Sequence, residues 1–239
     1  MGLQLTSWLC QFIPGQCLAC HCWPAQPLCQ ACFARFQRTK HRCIGCGLEL
    51  ADSAASQRCG ACLPIPHLID ACCIGVDYSY PWSLLIKHWK YNSNPALCKH
   101  MASWLRMQPH WAAILADIDF TIPIPNSNAR ICERGFDHTL LLAQALDCPR
   151  IRTDILLRSP SVTTSPHARK TRKARLQSIR NAFHIASAHQ FEIAGKTILL
   201  IDDVITTAAT MRAAADCLKA AGATSVVCAA LARTPANTH

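Results

Sequence analysis

The densest chemistry in this 239-residue chain lies between Gly195 and Thr210, GKTILLIDDVITTAAT. Thr197 to Ile201 are apolar and mostly branched, the composition of a strand buried on both faces. Asp202 and Asp203 follow, then Thr206, Thr207 and Thr210 around Ala208 and Ala209. From about Thr207 the pattern is helical, with Met211, Ala215 and Leu218 on one face and Gly222 as the stop. A strand, a short polar turn and a helix N-terminus make an anion cradle, because unpaired N–H groups point outward there. Threonine hydroxyls add donors for a phosphate, and adjacent carboxylates are acceptors for a sugar diol. The bland alternative is an ordinary turn with two surface aspartates, but the context on both sides favours a ribose phosphate.

A second chemical signal precedes it. Cys17-x-x-Cys20, Cys29-x-x-Cys32, Cys43-x-x-Cys46 and Cys59-x-x-Cys62 fall within fifty residues. Each pair offers two thiolates from one tight turn, eased by Gly45, Gly47 and Gly60, to a tetrahedral ion. Four pairs supply ligands for one or two zinc ions, paired either as neighbours or interleaved, with His21 and Cys22 as substitutes beside the first pair. The other nine of the seventeen cysteines are scattered among apolar residues and read as small buried hydrophobes. Paired motifs without a secretory leader in Met1–Ile13 point to a metal in a reducing, cytoplasmic setting. No stretch approaches the roughly 20 apolar residues of a membrane span, so no membrane insertion is expected.

The elements that position these groups alternate. Asp70–Tyr80 reads as a strand, and Trp82–Tyr91 as a helix with Leu85, Ile86 and Trp89 on one face and Lys87 and Lys90 on a more polar side. Helices follow at Cys98–Met107 and Trp111–Ala116, then a strand in Asp119–Pro125 that Pro123 and Pro125 end. Arg130 and Arg134 come after that strand, suited to a diphosphate by bidentate guanidinium contacts, and Leu140–Leu146 is helical. Ser225–Leu231 is the last buried strand. Such alternation with short links implies a mainly parallel sheet with helices on both faces, and ligands at the strands' carboxyl ends. The formal charge of +10 favours phosphate-rich partners. Arg158, Arg169, Lys170, Arg172, Lys173, Arg175 and Arg180 occupy a stretch, Asp154 to Glu192, with no acidic residue between its ends. That loop lacks aromatics between Arg158 and Arg180, so it offers cations for phosphates without a platform for bases.

Asp202-Asp203-Val204-Ile205-Thr206-Thr207-Ala208-Ala209-Thr210 resembles the phosphoribosyl-pyrophosphate (PRPP) loop of type I phosphoribosyltransferases, with Ala208 at the usual glycine. The order of cysteine pairs, lysine-bearing helix, Ile122-Pro123-Ile124-Pro125, Arg130 and Arg134-Gly135-Phe136, basic loop and Asp-Asp-Val-x-Thr-Thr is similar to the ComF family from about Cys17 to Arg233. The chain departs from that pattern at Asn126-Ser127, for Leu-His, and at Asp137-His138, for Asn-Gln. An added carboxylate at Asp137 weakens anion binding unless it is paired.

The resemblance implies an α/β, type I phosphoribosyltransferase-like domain over residues 67–239, with an N-terminal zinc-ribbon domain over 1–66 and a basic hood at about 158–180. It implies PRPP with magnesium as ligand. Asp202 and Asp203 would take the ribose hydroxyls, the Thr206, Thr207, Ala208 and Thr210 turn the 5′-phosphate, and Arg130 and Arg134 the diphosphate. No protein nucleophile is required. It also implies a role in DNA uptake during natural competence, with single-stranded DNA and competence-machinery proteins as partners. Three functions stay open: phosphoribosyl transfer, non-catalytic single-stranded DNA binding, and a protein adaptor built on the zinc head.

Overall fold

Strands with apolar residues on both sides need cover on both sides, and that requirement arranges the molecule. The computed structural model describes residues 15–25, 27–52, 55–91, 94–159 and 182–236. After the first two cysteine pairs and the short helix α1 (Gln30–Phe36), the chain enters β1 (Ala71–Asp77). Helices α2 (Trp82–Tyr91), α3 (Leu97–Arg106) and α4 (Trp111–Ala116) lead to β2 (Phe120–Pro123). Then come α5 (Asn128–Arg134), α6 (His138–Ala145), β3 (Leu156–Arg158) and β4 (Phe183–Ile185). Strand β5 (Thr197–Ile205), helix α7 (Ala209–Ala220) and β6 (Ser225–Arg233) complete the order.

The main sheet runs β1–β6–β5–β2 and every pairing in it is parallel. Alternation along β5 splits the core in two. Leu199 and Ile201 face a layer with Leu85, Trp89, Met101 and Leu142 of α2, α3 and α6. Ile198 and Leu200 face another with Met211, Ala215 and Leu218 of α7. A fully buried Leu or Ile is worth roughly 1.5–3 kcal/mol, so these layers are the main source of stability. Two carboxylates pin the strand starts: Asp119 accepts the Thr197 N–H (2.9 Å) and Asp70 the Val226 N–H (2.8 Å). The prolines act as expected: β2 lies at the edge and leaves the ladder after Pro123.

The cysteine-rich head straddles the β1 edge. Cys17 and Cys32 join the layer of Trp82 and Trp104, whereas Cys43, Cys46, Cys59 and Cys62 join the α7 layer with Ile74. Of the remaining cysteines, Cys73, Cys98, Cys148 and Cys228 are buried as expected, but Cys22 and Cys132 are exposed. Cys10 lies outside the described residues, as do 160–181, which hold most of the basic loop. The ends of that loop are joined by the antiparallel β3–β4 pair and by the Ser159 N–H donating to the Ala182 carbonyl (2.9 Å). No helix among the described residues is long and apolar enough to cross a membrane.

Gly47 is where head and sheet come closest. Its φ is +68°, and a Cβ there would stand 2.4 Å from Cγ1 of Ile74. Gly60, in the neighbouring turn, has nothing within 4 Å of the same position. Gly47→Ala is therefore expected to destabilise the chain by about 2–3 kcal/mol in denaturant unfolding, and Gly60→Ala by less than about 0.5 kcal/mol.

Candidate functional site

Asp202 and Asp203 sit side by side near the carboxyl end of β5. The Asp203 N–H donates to Oδ1 of Asp202 (2.8 Å), and the Val204 N–H to Oδ1 of Asp203 (2.6 Å). The second Asp203 oxygen meets Nζ of Lys90 at 2.7 Å, with both side chains largely buried. Lys90 is therefore not on a solvated face of α2. It lies one turn beyond buried Ile86, at the margin of the apolar stripe, and that i, i+4 relation was the available signal. Burial, then the neighbouring Asp203 charge, push the Asp202 carboxyl up to about 8 against the pull of Lys90. Asp203 is thus paired with Lys90, and Asp202 is shifted toward its neutral form.

His138, at the start of α6, lies behind the pair and is 1% exposed. Burial, then the Arg134 charge, hold its imidazole down to about 4, so it is neutral. Arg134 faces this side: its guanidinium lies over the Tyr91 ring at 5.4 Å, with Nη1 3.4 Å from Nδ1 of His138. Arg130, one helical turn earlier, is exposed and has no carboxylate partner among the described residues. Arg158, at the end of β3, joins from the other side. It stacks on Phe183 at 5.3 Å, and burial followed by the Arg130 charge lowers its proton affinity while Asp202 opposes them. The structure thus gathers Asp202, Asp203, Arg130 and Arg134, and adds Lys90, His138 and Arg158. Sequence reasoning gave the first two no role and left Arg158 among the loop cations.

A polar bend and a helix N-terminus follow β5. Thr206 and Thr207 are exposed in the bend after β5, and α7 begins at Ala209 with no side chain capping its N-terminus. Its first N–H groups are thus available to an anion, apart from that of Ala209, which reaches Oγ1 of Thr207 at 3.4 Å. Ala208 adopts the left-handed conformation, φ 61°, that a glycine would take without strain. Asp137 is paired. Its Oδ1 accepts from the Thr139 and Leu140 N–H groups and from Asn126 Nδ2, capping α6. The departures at Asn126 and Asp137 therefore answer one another.

The cysteine pairs assemble as neighbours, Cys17, Cys20, Cys29 and Cys32 in one quartet and Cys43, Cys46, Cys59 and Cys62 in the other. Within each, all Sγ atoms lie within 4.8 Å of one another. A tetrahedral zinc with Zn–S bonds of about 2.3 Å separates its sulfurs by roughly 3.8 Å, so both quartets can hold zinc. Backbone N–H groups already face the sulfurs, from Cys29 to Cys17 (3.3 Å) and from Cys59 to Cys43 (3.2 Å). His21 and Cys22 are exposed and belong to neither quartet. His21, at φ 61°, fills the turn position that Gly47 takes in the second quartet. Elsewhere burial pushes the Cys73, Cys98 and Cys148 thiols up to about 12, which leaves them poor nucleophiles.

This combination defines a type I phosphoribosyltransferase-like domain bearing a head with two cysteine quartets, and residues 140–239 match the family described as phosphoribosyl transferase domain. The chain is also 27% identical over 232 residues to DNA utilization protein YhgH of Escherichia coli O157:H7, covering 93% of this chain and 98% of the relative. It is 28% identical over 213 residues to Competence protein F of Haemophilus influenzae, covering 86% and 90%. It is thus a homologue of the competence and DNA-utilization proteins, and the ComF-family resemblance is borne out. Among solved structures, the allosteric regulatory enzyme of purine biosynthesis aligns at 19% identity and a TM-score of 0.37, covering 61% of this chain and 30% of that one.

The pair of shifted groups has a measurable signature. Asp202, raised to about 8, gives stability that is full at low pH and is lost as pH rises toward 8; His138, lowered to about 4, gives stability lost as pH falls below 6.5. The two oppose one another between 4 and 6.5; above 6.5 the Cys17 and Cys43 thiols, held down to about 6 and about 7, gain stability with rising pH and oppose Asp202. Relative to Asp202→Asn, wild type should lose about 2 kcal/mol between pH 6.5 and 8, as read by thermal unfolding at pH 6.5, 7.2 and 8.

Proposed function

We propose that the chain binds PRPP, with its magnesium, at the end of β5. The observation that carries this reading is the acidic pair followed at once by a threonine bend and an uncapped helix N-terminus. Asp202 and Asp203 accept the ribose hydroxyls, and Thr206, Thr207, Thr210 and the α7 N–H groups hold the 5′-phosphate around Ala208. Arg130 takes the diphosphate together with Arg158, and Arg134, over Tyr91 and beside His138, adds positive charge at the rim. Magnesium, arriving with PRPP, would neutralise diphosphate oxygens. In phosphoribosyl transfer the bond from C1′ to the diphosphate oxygen breaks, the electron pair leaves with diphosphate, and an acceptor lone pair forms the new C1′ bond. The chain's part is positioning and charge stabilisation of the cation-like ribose. Residues 67–239 would be the domain for this chemistry, with 1–66 as the zinc-bearing head.

A second reading, single-stranded DNA binding, is favoured by a recess of about 380 Å³ between head and sheet, lined by Arg35, Phe36, Arg38 and Tyr80. Arg35 and Arg38 are exposed, and Tyr80 is half-exposed with its hydroxyl fixed to the Ala19 carbonyl (2.8 Å). Cations beside a held aromatic ring supply the stacking platform that the basic loop lacks.

Calorimetry with PRPP and magnesium tests the first reading: saturable binding is expected in wild type and its loss in Asp202→Asn/Asp203→Asn. A folded wild type that binds no PRPP would overturn it. For the second, anisotropy of a labelled oligothymidylate should show salt-dependent binding that Tyr80→Ala weakens about tenfold and the double aspartate variant leaves intact.

A further inference from the structure

Two arginines connect the second cysteine quartet to the bend that follows the acidic pair. Arg212, in the first turn of α7, donates Nη2–H to Sγ of Cys62 at 3.1 Å, and its Nε is buried without an acceptor. Arg233, the last residue of β6, is 7% exposed. Its Nε–H goes to the Cys46 carbonyl at 2.8 Å, and its Nη1 donates to the carbonyls of Ile205 (3.4 Å), Thr206 and Thr234. Among the described residues neither guanidinium has a carboxylate partner. A buried cation such as Arg233, and a partly buried one such as Arg212, is costly without a counter-charge, and carbonyl dipoles offset only part of that cost.

The missing charge is available next door. Four thiolates around one divalent zinc carry a net charge of about −2, which matches two guanidinium groups. Arg212 touches a ligand sulfur directly, and Arg233 reaches the backbone of a second ligand residue while its other nitrogen holds the Thr206 carbonyl. The bend is thereby fastened from behind on both sides, at Thr206 and at the first turn of the helix that receives the anion. The first quartet lies in the opposite layer, with Trp82 and Trp104, and makes no such contact.

We propose that Arg212 and Arg233 are positioning residues through which the metal-loaded second quartet sets the shape of the Thr206–Thr210 bend, so that ligand affinity depends on the metal state of Cys43, Cys46, Cys59 and Cys62. The ligand half of this inference rests on the PRPP reading above; the coupling half does not. Loss or oxidation of the thiolates removes the counter-charge, frees both guanidinium groups and loosens the bend.

The test uses the full zinc-loaded chain and two readouts. Hydrogen exchange across 204–210 reports the bend without any ligand, and calorimetry with PRPP and magnesium reports affinity. Arg233→Met and Arg212→Met are each expected to speed exchange in that segment at least tenfold and to weaken PRPP binding at least tenfold. Arg152→Met, an arginine held by surface carboxylates, is expected to change neither. Cys62→Ser should lose one zinc and reproduce both effects. If Arg233→Met unfolds the chain, the less buried Arg212→Met decides. Unchanged exchange across the bend in the folded arginine variants would overturn the proposal. Should wild type bind no PRPP, the ligand reading falls, and the coupling stands or falls on the exchange result.

Discussion

Two carboxylates on consecutive residues at the end of a buried strand cannot both be charged and uncompensated, and the surroundings of β5 answer that constraint. Lys90 pairs with Asp203, burial and the Asp203 charge shift Asp202 toward its neutral form, and His138 nearby stays uncharged. An apolar environment alone would force both acids neutral; a solvated one would leave them indifferent to a ligand. The intermediate arrangement keeps a charged carboxylate in a largely buried place, at a cost to stability.

The same constraint explains why the cations arrive from separate elements. Lys90 comes from α2, Arg134 and Arg130 from α5, and Arg158 from β3. Spread over the carboxyl ends of β2 and β5 they converge only after folding, which makes the site a product of the sheet order. The cysteine quartets extend that logic to the edge strand. One grips each face of β1, so the head covers an edge that would otherwise present apolar surface on both sides.

Periodicity and turn chemistry are local, and they made much of this legible in the sequence. Trp82–Tyr91 and Trp111–Ala116 have the expected bounds, and the Thr197–Ile201 core of β5 stands as read. Boundaries elsewhere moved by one to four residues, as at Leu97–Arg106, and at β1, which ends at Asp77 rather than Tyr80. What the sequence hid was long-range. Quartet pairing depends on how two turns fold back, Lys90 finds its partner 113 positions away in Asp203, and Arg212 reaches Cys62 across 150 positions. Neither Arg212 nor Arg233 lies in a pattern that distinguishes it from a surface cation.

Ala208 shows how a local departure is resolved by its surroundings. Replacing the glycine of the phosphate bend raised two separate concerns: a backbone that needs positive φ, and a methyl that blocks the approach of an anion. The first is real, since the residue keeps φ 61° and bears a strain of roughly 1–2 kcal/mol. The second does not arise. Ala208 is buried among Ile205, Met211 and Ala215, so its methyl faces the core and not the exposed Thr206–Thr207 side. Burying that methyl returns roughly 0.8 kcal/mol, which offsets much of the strain. The substitution therefore acts on stability, and its methyl lies away from the exposed Thr206–Thr207 side of the bend.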